Sequence, residues 1–175
     1  MSKIILVDKN DQVLGNEEKL KVHQLGLLHR AFSIFIFNSK GELLLQRRAF
    51  HKYHSGGLWT NTCCSHQGPD ESLESAIHKR LVEEMGMVCE LKEVFSFLYR
   101  AELDNNLIEN ELDHVFVGIS DKKPVPNSEE VAEYKYMTIK DLREDIKINP
   151  DNYTKWFKII IEKYLNIETW LELKK

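Results

Sequence analysis

The hydrophobic pattern of the chain predicts grouped strands with helices inserted between them. Residues 4–15, IILVDKNDQVLG, have two short apolar runs around a polar turn, which is typical of two strands. Residues 30–48 show a stronger hairpin pattern, because β-branched and aromatic residues flank the turn sequence Asn38-Ser39-Lys40-Gly41. Further strands are predicted in GLWTNTCCSH (57–66), EVFSFLYRAEL (93–103), LIENELDHVFVGI (107–119) and AEYKYMTI (132–139).

A change of period marks the helices. In residues 69–86, PDESLESAIHKRLVEEMG, apolar residues recur at helical spacing, with Asp70 or Ser72 able to cap the start and Gly86 to end it. Helices are also predicted in TIKDLREDI (138–146) and YTKWFKIIIEKYL (153–165). The pattern predicts an α+β fold in which mixed β-sheets pack against helices. At 175 residues we expect one domain, residues 1–175, with its core in about residues 3–165.

Composition and charge narrow the class of protein. The net charge of -4 offers no general affinity for nucleic acid. The first residues turn polar too early for a secretory signal, and no apolar run reaches membrane-spanning length. The odd number of cysteines, three, favours free thiols in a reducing cytoplasm. Neighbouring Cα atoms lie only ~3.8 Å apart, so the adjacent pair Cys63–Cys64 is a poor structural disulfide.

Strand alternation separates the two adjacent cysteines. If residues 59–66 are extended, Thr62, Cys64 and His66 point to one side and Cys63 points to the other. The same rule places Glu109 and Glu111 together on their strand, where either a solvent-exposed face or a bound cation explains the pair equally well.

Histidines supply possible partners for these carboxylates. His23, His29 and His66, with the two glutamates, form a donor set suited to Zn²⁺, Mn²⁺ or Fe²⁺ and poor for Ca²⁺. Their wide separation in the chain leaves scattered surface histidines as the commoner explanation. We interpret helix residue His78 and loop residues His51, His54 and His114 as surface or packing groups.

Charged residues suggest a phosphate-binding surface. Arg80 and Glu84 lie one turn apart in the apolar stripe of their helix, so either a polar cavity at the end of the helix or a simple surface ion pair explains them. Arg47, Arg48 and Lys52 follow the hairpin, where they either bind phosphate or form a solvated basic loop.

Several longer motifs resemble those of one family. GLLHRAFSIFIFN, LLLQRRA, WTNTCCSH, ESLESAIHKRLVEEMG, YRA and ENE together are similar to type I isopentenyl-diphosphate isomerases of the Nudix superfamily, from about Lys3 to the C-terminal helices. The Nudix signature is degenerate here: Ser65 stands at its first glycine, and Lys79-Arg80 replaces Arg-Glu. The added cation favours holding a diphosphate intact over cleaving it.

The resemblance implies a Nudix-type fold and specific roles for individual residues. It implies Cys64, Glu111 and Tyr99 as catalytic groups, His23, His29, His66, Glu109 and Glu111 as ligands of one Zn²⁺, Mn²⁺ or Mg²⁺ ion, and Glu84 as the ligand of a Mg²⁺ ion bound with the diphosphate. It also implies Lys19, Arg48, Lys52, Arg80 and Trp156 as substrate-binding residues.

The activity implied is conversion of isopentenyl to dimethylallyl diphosphate, feeding isoprenoid synthesis, by a cytoplasmic monomer or weak dimer. Two rival hypotheses are a Nudix hydrolase acting on a nucleoside diphosphate derivative and a non-catalytic metal- or diphosphate-binding domain. The second rival gives no purpose to Cys64 or Tyr99.

Overall fold

Nine strands and four α-helices make up the regular structure in the computed structural model, which describes residues 2–163. The strands are β1 Lys3–Val7, β2 Val13–Glu18, β3 His29–Phe37, β4 Leu43–Arg48, β5 Trp59–Thr60, β6 Cys63–His66, β7 Lys92–Glu102, β8 Ile108–Ile119 and β9 Val131–Met137. The helices are α1 Lys19–Leu25, α2 Leu73–Met85, α3 Ile139–Ile148 and α4 Lys155–Lys163. Within residues 2–163, no helix combines the length and the apolar character needed to cross a membrane.

Strand β3 is the centre of the sheet. It pairs in parallel with β8 along its whole length, from His29 opposite Glu111 to Phe37 opposite Ile119. On its other edge it pairs antiparallel with β6, where Ala31 lies opposite His66. Both faces of β3 are covered, which explains its nearly continuous apolar sequence. This arrangement brings the start of β3, the end of β6 and the start of β8 to one place.

The predicted hairpin forms, but its two strands separate directly after the turn. Phe37 opposite Leu43 is the register pair that joins β3 to β4. Beyond it Thr62 fills the gap, since its Oγ1 accepts from the Ile36 amide at 2.9 Å and donates to the Leu44 carbonyl at 2.6 Å. The predicted strand 57–66 is therefore wrong as one element: it divides into β5, paired with β4, and β6, paired with β3.

Apolar layers lie on both faces of the sheet. One layer, beneath α3 and α4, includes Phe35, Leu45 and Phe157. The other, beneath α2, includes Ile34, Cys63 and the helix residues Ala76, Ile77, Leu81 and Met85. Burying each large apolar side chain contributes about 1.5–3 kcal/mol to folding, so both layers hold the strands in register. The predicted α+β class is confirmed.

The helix ends explain which helices the sequence predicts well. Ser72 caps the start of helix α2, because its Oγ accepts from the Ser75 amide at 3.1 Å. Gly86, in the left-handed conformation, caps the end of the helix. Helices α3 and α4 also lie where the pattern predicts them. Residues 164 and 165, at the end of the last predicted helix and of the predicted core, lie outside the described residues.

The structure differs from the sequence analysis at helix α1 and at His114. Helix α1 was not predicted, because its seven residues are too few to show a clear apolar period. It ends at Gly26, which adopts φ +61°. The interpretation of His114 as a loop residue was wrong, since it lies in β8 and its Nδ1 contacts Glu93 Oε1 at 2.7 Å.

Candidate active site

Five side chains meet where β3, β6 and β8 converge beside α1. Each offers one nitrogen or oxygen atom, and these atoms all lie within 4.8 Å of one another. Helix α1 contributes one histidine, β3 and β6 one each, and β8 both glutamates at alternate positions; the set is His23, His29, His66, Glu109 and Glu111. The two glutamates are only 2% and 6% exposed, which excludes the solvent-exposed strand face.

Backbone carbonyls orient two of the imidazoles. His23 Nδ1 lies 2.6 Å from the Lys19 carbonyl oxygen, and His29 Nδ1 lies 2.8 Å from that of Leu27. A ring whose Nδ1–H donates to a carbonyl presents the Nε2 lone pair to the opposite side, as histidines do in metal sites. Both Nε2 atoms therefore face the cluster.

Several nitrogen and oxygen atoms that face the inside of the cluster make no hydrogen bond. His23 Nε2 is 3.2 Å from Glu109 Oε2, and none of His23 Nε2, His29 Nε2 and Glu109 Oε2 has a hydrogen-bond partner. Buried polar atoms without partners are rare and call for an explanation. A divalent ion satisfies all three at once, so the cluster could hold a metal, and its imidazole and carboxylate donors fit Zn²⁺, Mn²⁺ or Fe²⁺.

The protonation states suit a cation site. Burial, and then the nearby Lys19 ammonium, hold the pKa of His66 well below its usual range. Burial opposes ionisation of Glu111, but the nearby His29 imidazole outweighs it and lowers the pKa of that carboxyl. His66 thus remains neutral and Glu111 ionised near pH 7, the forms in which each can bind a metal.

A small cavity of about 50 Å³ opens beside this cluster. Its walls include Cys64, Tyr99 and Trp156 together with Glu111. Tyr99 donates a hydrogen bond from its hydroxyl to Glu111 Oε2 at 2.5 Å. Burial raises the pKa of the Cys64 thiol to about 12 against the opposing effect of the Arg48 charge, so this thiol keeps its proton.

The two adjacent cysteines point in different directions. Cys64 reaches the cavity, whereas Cys63 is fully buried in the apolar layer beneath α2. The expected grouping of Cys64 with His66 is confirmed, since both line the cavity, but Ser65, which the alternation places on the other side, lines it as well.

The predicted phosphate-binding cations divide into two groups. Lys19 and Arg48 line the cavity, and the Arg48 guanidinium carbon lies 5.4 Å from the centre of the Trp156 ring. Lys52 and Arg80 do not line it, and both contact the Glu130 carboxylate, Arg80 Nη2 at 3.4 Å.

Glu84 also lies away from the cavity lining. Its carboxylate is buried, accepting from Gln46 Nε2 at 2.8 Å and from Arg80 Nη2 at 2.5 Å. The structure therefore brings ten of the predicted site residues together and leaves Lys52, Arg80 and Glu84 outside the cavity lining.

Comparison with known proteins gives the family. Residues 27–157 match the NUDIX domain. The chain is 55% identical to isopentenyl-diphosphate Delta-isomerase 2 of Photorhabdus laumondii over 172 residues, which cover 97% of each chain. The chain belongs to the isopentenyl-diphosphate Delta-isomerase family. Isopentenyl-diphosphate Delta-isomerase 1 of Aromatoleum aromaticum is 51% identical over 93% of this chain and 92% of its own.

Solved structures agree on the fold of this family member. A Deinococcus radiodurans protein superposes with a TM-score of 0.75 at 17% identity, covering 93% of this chain and 99% of its own. The MutT protein of Methanosarcina mazei gives 0.64 at 21% identity, covering 85% and 96%. At such identities the likeness concerns the fold alone, and the predicted Nudix-type fold is confirmed.

In this isopentenyl-diphosphate Delta-isomerase family member, the degenerate Nudix helix α2 has an internal ion-pair network. Arg80 contacts Glu83 Oε2 at 2.7 Å as well as the buried Glu84. Burial opposes the charge of Arg80, yet Glu84 raises the pKa of the guanidinium above its usual range. One arginine of the same helix thus pairs with both carboxylates at the end of the signature and compensates part of their charge.

Sequence reasoning missed five residues that line the cavity of this isomerase-family member: Ala31, Phe32, Ser33, His54 and Ser65. His54 was interpreted as a surface or packing group, and the surface alternative is wrong, because the residue is only 6% exposed and lines the cavity. The signal in the sequence was the Gly56-Gly57 pair that follows it. A Cβ at Gly56 would lie 2.5 Å from the Phe50 carbonyl oxygen, so the loop folds tightly back on itself at this point.

Proposed function

We propose that the protein converts isopentenyl diphosphate to dimethylallyl diphosphate, with Cys64 and Glu111 as the proton-transfer groups. Relatives of this name match the chain over nearly its whole length. The observation that carries the assignment of roles is the single small cavity lined by Cys64, by Glu111 with its partner Tyr99, and by Trp156.

The reaction needs two proton transfers. One proton is added to the terminal methylene carbon, and another is removed from the carbon next to the oxygen-bearing methylene, so the double bond moves with no net change of atoms. A thiol and a carboxylate on opposite faces of the alkene can divide these steps. The Tyr99 hydroxyl fixes the position of Glu111. In this proposal Glu111 transfers a proton to or from the substrate, and it also contacts His29 of the histidine cluster.

Protonating an unactivated alkene creates a tertiary, cation-like species. The indole face of Trp156 can stabilise it by cation–π attraction, worth ~0.5–2 kcal/mol in ground-state examples. The small size of the cavity supports this role, since water reaching the cation would trap it as an alcohol.

The charged end of the substrate needs an anchor. Lys19 and Arg48 line the cavity, and we propose that they bind the diphosphate directly. We assign Lys52 and Arg80 to the outer phosphate and Glu84 to an accompanying Mg²⁺ ion, which would neutralise diphosphate charge. Glu130 contacts both Lys52 and Arg80, and Glu84 contacts Arg80, so a bound diphosphate would compete with these carboxylates.

The histidine–glutamate cluster, in this proposal, holds one Zn²⁺, Mn²⁺ or Mg²⁺ ion that sets the charge and position of Glu111. Adding the metal that fits should raise the free energy of unfolding by about 2.7 kcal/mol when the free ion is about 100-fold above its Kd. The gain should shrink as pH falls, because protons compete for the imidazoles.

Thermal unfolding with metal titration measures this gain. Glu109→Gln should reduce it, whereas His51→Ala, which alters an exposed loop histidine, should leave it unchanged. Equal unfolding temperatures with and without any of the three ions would contradict a metal centre.

Isomerase assays in heavy water test the proposal as a whole. With metals supplied, isopentenyl diphosphate should give dimethylallyl diphosphate, and deuterium should enter product and recovered substrate. A Nudix hydrolase would instead release phosphate or nucleotide from nucleoside diphosphate derivatives, and a binding domain would do neither. Absence of both product and deuterium would refute the isomerase.

The wider setting is also a proposal. We infer a single-domain cytoplasmic enzyme, acting as a monomer or weak dimer, that supplies allylic primers for isoprenoid synthesis. One continuous sheet with an apolar layer on each face supports the single domain over residues 2–163.

A further inference from the structure

His54 lines the proposed substrate cavity, although the roles proposed above do not involve it. It belongs to the loop between β4 and β5 and is nearly inaccessible to solvent. Cys64, Glu109 and Trp156 line the same cavity. A histidine in this position touches the space assigned to the hydrocarbon.

The loop is built to point this side chain inward. Ser55, the next residue, adopts φ +51°, a left-handed conformation that non-glycine residues rarely take. Arg48 Nη2 donates to the His54 carbonyl oxygen at 3.4 Å, and Asn105 Nδ2 donates to the Tyr53 carbonyl oxygen at 3.0 Å. The backbone on both sides of the imidazole is therefore held in place.

The imidazole bridges the aromatic wall and the metal cluster. Its centre is 6.1 Å from the Trp156 ring at an interplanar angle of 80°, and 6.0 Å from the His23 ring at 27°. On the third side the Tyr53 ring meets it edge-on at 4.5 Å. His54 Nε2 lies 3.8 Å from Glu109 Oε1, beyond hydrogen-bond distance. Its Nδ1 contacts the hydroxyl of the adjacent Ser55 at 3.4 Å. The ring is therefore held mainly by packing against the three neighbouring rings.

We propose that His54 determines substrate specificity by limiting the size of the alkyl group that fits between Trp156 and the metal cluster. The inference rests on the proposed function. Protein interiors pack densely and adjust little to added volume, so a fixed ring in the wall of this small cavity limits the size of the hydrocarbon that fits beside it.

The test compares two substrates in one series of variants. They are isopentenyl diphosphate and its homologue in which an ethyl group replaces the methyl branch. Because one methylene in an apolar pocket typically changes kcat/KM by about 10–200-fold, His54→Ala should raise the homologue-to-substrate ratio of kcat/KM by about tenfold or more. His54→Phe keeps a ring of similar size and should preserve the native ratio.

His51→Ala is the matched control, since it removes an exposed imidazole from the same loop and should change neither value. Metal content and circular dichroism are measured for every variant. If His54→Ala does not fold, His54→Ser, which also removes the ring, takes its place in the comparison.

The outcomes separate the two proposals. An unchanged ratio in the alanine or serine variant, with the native protein active on isopentenyl diphosphate, overturns the specificity role alone. Equal losses on both substrates together with loss of metal also overturn it, since His54 would then support Glu109. Failure of the native protein to isomerise isopentenyl diphosphate overturns the proposed function itself.

Discussion

Replacing Cys64 with alanine is expected to reduce isomerisation by about 10³-fold or more while leaving the fold and the metal content intact. The thiol lines the same cavity as Glu111, and general acid–base groups typically contribute about 10²–10⁴-fold. No other thiol lines this cavity among the described residues, so no substitute proton carrier of this kind is available. Steady-state turnover, metal analysis and circular dichroism measure the three quantities.

Cys63→Ala is the matched control for this experiment. It removes the neighbouring thiol, which is buried beneath α2 on the other face of the strand. We expect turnover near the native rate with a stability loss of about 1 kcal/mol from the small cavity. An inactive Cys63→Ala beside an active Cys64→Ala would reverse the assignment.

Glu111→Gln is expected to lower turnover by about 10³-fold or more and to weaken metal binding as well. The carboxylate has three contacts that a neutral amide cannot reproduce fully. Oε2 accepts from Tyr99, while Oε1 lies 2.9 Å from His66 Nε2 and 3.3 Å from His29 Nε2. Turnover, deuterium exchange and metal affinity by chelator competition report these effects separately.

Glu109→Gln separates metal binding from proton transfer. It makes the same chemical change two residues away in β8, at a carboxylate that faces His23 and has no contact with Tyr99 among those described. Saturating metal should restore much of its turnover, whereas Glu111→Gln should remain inactive at any metal concentration. If excess metal rescues both variants equally, Glu111 is a ligand and not a proton-transfer group.

Strand alternation explains how much of the site the sequence could predict. The rule is local, so it correctly separated Cys63 from Cys64 and placed the latter with His66. It likewise placed Glu109 and Glu111 on the same face of their strand. The family resemblance then suggested that these two glutamates lie beside three histidines, as the structure has them. Individual roles in catalysis remain predictions.

The parts that failed depend on contacts distant in sequence. The hairpin turn is visible in the chain, but the insertion of Thr62 between the diverging strands requires a segment from elsewhere. His54 faces inward because of the loop as a whole, which no periodicity records. The ion pairs of Glu130 with Lys52 and Arg80 likewise join three segments that are distant in sequence, so local patterns do not predict them.

The parallel ladder between β3 and β8 has a consequence for synthesis of the chain. Ser33 and Asp113, hydrogen-bonded across this ladder, are 80 residues apart in sequence. Pairing over such separations is slow, because loop closure must precede it. A nascent polypeptide on the ribosome therefore exposes His23 and His29 well before Glu109 and Glu111 emerge, and the five-residue cluster cannot assemble until β8 has been synthesised.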